Sequence, residues 1–235
     1  DMGEEQIVLD LGLVTEAEPE NIGFPQQKET SGDSRLDDAV SANTLVELEE
    51  AIIRDGGCER CGLAEKRNKI VVGQGDPNAS IVFIGEGPGG DEDRIGLPFV
   101  GRAGKLLDRI LKAMGLSRER GVYICNIVKC RPPGNRDPLP EEAEACIPYL
   151  LRQLELIKPD VICCLGRVAA QNLLGTNAPL RKLRGKTHIF KGIPVLVTYH
   201  PAYLLRNPAG KPPTWEDMKE LLRIAGLPIP EKYNK

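Results

Sequence analysis

Cysteine and histidine are the scarce reactive side chains of this 235-residue chain, which holds seven of the first and two of the second. Cys58-x-x-Cys61 is followed by Cys130 and, after fifteen intervening residues, by Cys146. Four thiolates drawn from three segments can close an S4 site, which suits zinc or an iron–sulfur cluster. The spacing is compatible with either. Four protein ligands leave no open coordination position, so such a site is structural. Cys125, Cys163 and Cys164 lie inside the apolar runs "VYICNIV" and "DVICCLG" and read as small buried hydrophobes. Three other polar groups stand at the ends of apolar runs. Glu86 follows "IVFIG", Asn126 falls near the end of "VYICNIV", and His200 opens "HPAYLLRNP" directly after "IPVLVTY".

The elements that must position these groups are legible from periodicity. Runs 81–85, 122–128, 161–165 and 193–199 predict buried strands, and 102–114, 140–157, 167–174 and 214–225 predict helices. A further helix starts after Ser41 and stops at the glycine pair before Cys58. "THIFKGIPVLVT" predicts a hairpin about Lys191-Gly192. Near-continuous apolar strands alternating with helices give a three-layer α/β/α sandwich with a central four-stranded, mostly parallel sheet. Such folds bind ligands at the carboxyl ends of their strands. Glu86, Asn126 and His200 all fall there. The sandwich is expected over residues 43–227, after an irregular arm over 1–42 and before a short tail over 228–235.

Charge divides the chain. The first fifty residues hold 14 acidic and two basic side chains, a balance of −12, which leaves the remainder at +9. A basic body is an electrostatic footprint for a polyanion such as nucleic acid. No apolar run approaches the length of a membrane span, and no basic-then-apolar leader is present. The expectation is a monomeric cytoplasmic protein with no membrane partner, its thiols kept reduced. Two phosphate motifs fail. Gly85, Gly87 and Gly90 fit G-x-G-x-x-G, but three carboxylates follow where a pyrophosphate would sit. "GKT" at 185–187 lacks its first glycine and precedes a strand.

Taken together, "GEGPGGDEDRIGLPFVGRAGKLLDRIL", "VYICNIVKCRPPGNRDP" and "HPAYLLRNP", with the four cysteines in order, resemble the family 4 (iron–sulfur) uracil-DNA glycosylases. The likeness runs from about residue 57 to 225 and departs at Gly87, where relatives more often carry alanine. The resemblance implies a [4Fe–4S] cluster on Cys58, Cys61, Cys130 and Cys146. It also implies hydrolysis of the bond joining uracil to deoxyribose in DNA, single- or double-stranded, as the first step of base excision repair. A base inside a duplex must be flipped out to be reached.

Under that resemblance each motif takes a role. His200 donates to uracil O2, where negative charge develops as the base departs. Asn126 reads N3–H and O4, a pattern that cytosine reverses. Phe99 stacks on the base and Glu92 fills the corner that a thymine methyl would need. Glu86 positions water or stabilises the sugar cation, and the amides of Gly87 and Gly89 help anchor uracil. Asn135 lies near the catalytic loop. Leu204 matches the residue inserted into the hole that flipping leaves, with Tyr203 and Arg206 contacting phosphate or holding the loop. A relative without turnover is expected to lack Glu86, Asn126 or His200. A covalent DNA trap needs an inserted basic loop that "LRGKTHIFKG", with His188, does not contain.

Overall fold

The computed structural model describes residues 34–233. In chain order the helices are α1 (Ser34–Ser41), α2 (Leu45–Ile53), α3 (Gly90–Ile95), α4 (Arg102–Ala113), α5 (Pro140–Ile157), α6 (Arg167–Leu174), α7 (Leu180–Leu183), α8 (Pro201–Arg206) and α9 (Lys211–Ile224). The strands are β1 (Gln74–Gly75), β2 (Ile81–Gly85), β3 (Val122–Asn126), β4 (Val161–Leu165), β5 (Thr187–Phe190) and β6 (Ile193–Thr198). They form one sheet in the order β1-β3-β2-β4-β6-β5. The central four are parallel and the two edge strands are antiparallel. The expected four-stranded parallel centre is therefore present, widened by one short strand at each edge.

Why the sheet lies between helices is visible in the period-2 alternation of its strands. Val82, Ile84, Tyr123, Cys125, Ile162, Cys164, Val195 and Val197 face one core, shared with Leu48, Ile52 and Leu150 from α2 and α5. Ile81, Phe83, Val122, Ile124, Cys163 and Leu196 face the other, with Leu107, Leu111, Met218 and Leu221 from α4 and α9. Both faces are apolar, so neither can be left in water. Cys125, Cys163 and Cys164 are fully buried, as their apolar neighbours suggest. The β5–β6 hairpin turns on Lys191 (φ 48°) and Gly192 (φ 82°), the left-handed pair of a type I′ turn.

Two sequence expectations need correction. Residues 34–42 are not irregular: α1 buries Leu36 and Ala39, and Ala42 follows them into the α2–α5 core. Residues 1–33 of the expected arm, and 234–235 of the tail, lie outside the described residues. The cap of α2 is Thr44, whose hydroxyl accepts from the Glu47 amide, rather than Ser41. The "DED" stretch is the first turn of α3, where three carboxylates complement the positive end of the helix. Among the described residues no helix is long and apolar enough to cross a membrane.

Candidate active site

The carboxyl ends of β2 and β3 are neighbours, with β4 standing between β2 and β6, and the register sets Gly85 directly opposite Asn126. Gly85 has no room for a side chain: a β-carbon there would overlap Asn126 Oδ1 and the Phe99 ring. Asn126 and Phe99 thus approach one another across a bare backbone. The Phe99 ring also lies 5.6 Å from the His200 ring, centroid to centroid, at an interplanar angle of 33°. Asn126, Phe99 and His200 therefore share one small neighbourhood, with Glu86 one residue beyond Gly85.

Phe99 is held there against its backbone preference. Its φ of 53° is left-handed, which a bulky residue adopts only when its surroundings over-determine it. Glu92 Oε1 supplies one restraint by accepting from the amides of Val100 and Gly101, both at 2.9 Å. Arg118 supplies a second, donating to the carbonyls of Pro98 (2.7 Å) and Phe99 while pairing with Asp108 at 2.7 Å. Gly104 supplies the space, because a β-carbon there would overlap the Phe99 carbonyl. Neither Arg118, in "LSRERG", nor Gly104, in "GRAGK", gave a sign of this contact in the sequence.

His200 caps α8. Its Nδ1 accepts from the Ala202 amide at 3.1 Å, which leaves Nε2 to carry the proton of the neutral ring. Burial pushes its pKa down to about 4, aided by the Arg206 charge and opposed by Glu92. The ring is uncharged at neutral pH, with one N–H free to donate. Gly166 (φ 96°) makes room behind it, since a β-carbon there would stand 3.1 Å from His200 Cβ.

Glu86 differs in sign. Burial, with the nearby Asp137 charge, pushes its pKa up to about 7, and Arg167 opposes the shift. Asp137 and Arg167 pair at 2.5 Å beside it. Gly87 is crowded, because a β-carbon there would lie 2.7 Å from Val128 Cγ2, so alanine would require that side chain to shift. Asn126 is 1% exposed, and its Oδ1 is the one buried side-chain oxygen or nitrogen without a partner among the described residues. Its backbone carbonyl accepts from Lys129 Nζ at 2.8 Å. Lys129, fully buried, also donates to Gln153 at 2.6 Å. Nothing in the sequence marked it.

Two other expected site residues lie on flanking elements, the loop after β3 and the helix α8. Asn135 (φ 55°) is exposed on the loop after Cys130, and its Oδ1 accepts from Arg131 Nε at 2.8 Å. None of its described hydrogen bonds reaches Glu86, Asn126 or His200. Leu204 is 1% exposed and packs under Gly210, so it is not a projecting wedge. The expected loop is the helix α8, and that helix turns Tyr203 and Arg206 outward and Leu204 inward.

The four cysteines of the S4 set line one small cavity with Ile52, Leu63, Lys129 and Tyr149. Several donors point at their sulfurs: the Tyr149 hydroxyl at Cys58 (3.3 Å), the Lys129 amide at Cys146 (3.2 Å) and Arg67 at Cys130 (3.8 Å). Burial pushes the Cys130 thiol up to about 11 and Cys146 up to about 12. Such thiols ionise only when a cation compensates them. Among the described residues no three Cys, His, Asp or Glu side chains are close enough to share a single metal ion.

An amide, an aromatic ring and a neutral imidazole meeting at parallel strand ends define an α/β site for a flat, hydrogen-bonding ligand such as a nucleobase. A family model described as "Uracil DNA glycosylase superfamily" matches residues 72–221. A type-4 uracil-DNA glycosylase from Archaeoglobus fulgidus is 43% identical over 195 residues, which span 80% of this chain and 98% of that protein. Another from Thermotoga maritima is 51% identical over 152 residues, 64% of this chain and 79% of that protein. A type-5 uracil-DNA glycosylase from Pyrobaculum aerophilum is 34% identical over 170 residues, 64% of this chain and 73% of that protein. The chain belongs to the uracil-DNA glycosylase superfamily, in its type-4 family.

Proposed function

We propose that the protein, acting as a monomer, hydrolyses the N-glycosidic bond of uracil in single- or double-stranded DNA and leaves an abasic site for base excision repair. The observation that carries this reading is the buried, unpartnered Asn126 Oδ1. An orphaned acceptor costs stability unless a ligand satisfies it. Uracil N3–H supplies the missing donor, and the same amide offers Nδ2 to O4. Phe99 provides the stacking face, and Glu92 holds Phe99 in place while occupying the pocket rim. Incubating the protein with a uracil-containing oligonucleotide, then cleaving abasic sites with alkali, tests the proposal. Strand scission at uracil supports it, and the absence of free uracil overturns it.

In the reaction the C1′–N1 bond breaks and its electron pair leaves with uracil, mostly on O2. His200 Nε2–H donates to that oxygen. Water adds to C1′, its proton passing to solvent or to Glu86, whose carboxylate faces the cationic sugar. If the charge of Glu86 is needed, kcat/KM rises with pH through about 7. Glu86→Gln should flatten that limb and lower the plateau by roughly 10²-fold. The same shift makes a stability forecast. A carboxyl whose folded pKa lies above its unfolded value favours the fold below about pH 4.5, and that contribution is lost as pH rises through about 7. Glu86→Gln should therefore raise Tm at pH 8, and an unchanged pH–rate profile would remove the role of the charge.

We further propose that Cys58, Cys61, Cys130 and Cys146 hold a [4Fe–4S] cluster. Support comes from a cavity lined by all four cysteines, with donors aimed at the sulfurs of Cys58, Cys130 and Cys146. When bound, the cluster is a covalent tie between the segment after α2, the loop after β3 and α5. The purified protein should contain iron and acid-labile sulfide in equal amounts. Cys146→Ser should lower both and reduce Tm by on the order of 10 °C. Zinc without sulfide would overturn the assignment.

A further inference from the structure

We infer that Tyr203, backed by Tyr199 and Arg184, is the side chain that occupies the gap left in a duplex when uracil is extruded. The inference rests on the proposed uracil excision and assigns a residue to its duplex-specific step. Leu204 is unsuited to the task because it already fills the fold. Only 1% exposed, it packs so closely beneath Gly210 that a β-carbon there would stand 2.9 Å from Leu204 Cδ2. Drawing it out into DNA would leave a cavity behind. Its neighbour Tyr203 is 39% exposed and presents a flat aromatic ring.

The placement of Tyr203 is specific. It lies three residues after His200 on α8, about 4.5 Å further along the helix axis, a distance of the order of one base step. It is also the outermost member of a column of planar groups. The Tyr199 ring stacks on it at 4.9 Å and 21°, and the Arg184 guanidinium lies 4.3 Å from the Tyr199 centroid. Arg184 is fixed in turn by two bonds to Asp217, at 2.9 and 3.0 Å, and Asp217 accepts from the Thr198 hydroxyl on β6 at 2.6 Å. A stack anchored to the central sheet presents its last ring with little freedom left to lose. A base flanking the gap would extend that stack, as bases do on aromatic platforms. Arg206, exposed on the same helix, stands ready for an adjacent phosphate.

The test compares single-turnover uracil release from a duplex and from the same strand unpaired, using the full chain. Tyr203→Ala should lower the duplex to single-strand rate ratio by roughly 10- to 100-fold. Tyr203→Phe should keep the ratio, because the ring and not the hydroxyl is at work. Leu204→Ala should lower Tm and slow both substrates alike. A selective duplex defect in Leu204→Ala, or an unchanged ratio in Tyr203→Ala, overturns the inference. Wild-type protein that releases uracil from neither substrate would instead overturn the underlying function.

Discussion

Replacing Asn126 by leucine is expected to lower kcat/KM for uracil release by roughly 10⁴-fold while making the folded protein more stable. The two effects share one cause. Asn126 Oδ1 is buried without a partner, so the free protein carries the desolvation cost of that oxygen. Leucine has nearly the same shape and no such cost, and removal of an unsatisfied acceptor stabilises by about 1–3 kcal/mol. Tm should rise by several degrees. Activity falls because the site would then bury N3–H and O4 of uracil with nothing to receive them, a mismatch worth several powers of ten in selectivity. Thermal melting and single-turnover kinetics on one preparation check both halves. Retention of activity within tenfold would mean that the amide does not read the base. A lower Tm would mean that Oδ1 is satisfied in the free protein.

Much of this arrangement was legible in the sequence, and the omissions have physical reasons. The four central strands are each buried on both faces, so their apolar runs were nearly continuous and their ends could be placed to within two residues. That was enough to bring Glu86, Asn126 and His200 to one sheet edge. What escaped was anything decided by tertiary contact. Helix α1 offers only Leu36 and Ala39 to the core among charged neighbours, too few to reveal a period. Helix α8 spans six residues, and its inward pair, Pro201 and Leu204, is too short a pattern to tell a helix from a loop. Hence the expectation that Leu204 projects. The left-handed Phe99 is similarly hidden. A positive φ at phenylalanine arises from Glu92, Arg118 and Gly104 acting together, and none of them is local to the residue's own turn. Lys129 carried no motif, yet it links Asn126 to the cysteine cavity through its ammonium and its amide.

His200→Ala is expected to reduce kcat by about 10²–10³-fold with little change in KM, the signature of a bond made chiefly in the transition state. The geometry predicts which proton does this. With Nδ1 engaged by the Ala202 amide, the neutral ring must carry its hydrogen on Nε2, and burial beside Arg206 keeps the ring neutral down to about pH 4. A neutral donor is better matched than an imidazolium to a uracil anion that is only a weak base, and its charge need not be desolvated before the substrate arrives. The pH–rate profile should therefore show the Glu86 limb near 7 and no second limb from histidine above about pH 5. Nitrogen-15 chemical shifts of the His200 ring should report the Nε2–H tautomer at pH 6.5, and Arg206→Ala should move its titration upward. A ring that titrates well above its ordinary value of about 6.5 would make the donor cationic at the onset of reaction. In that event charge neutralisation, rather than a preorganised neutral hydrogen bond, would be what lowers the barrier at O2.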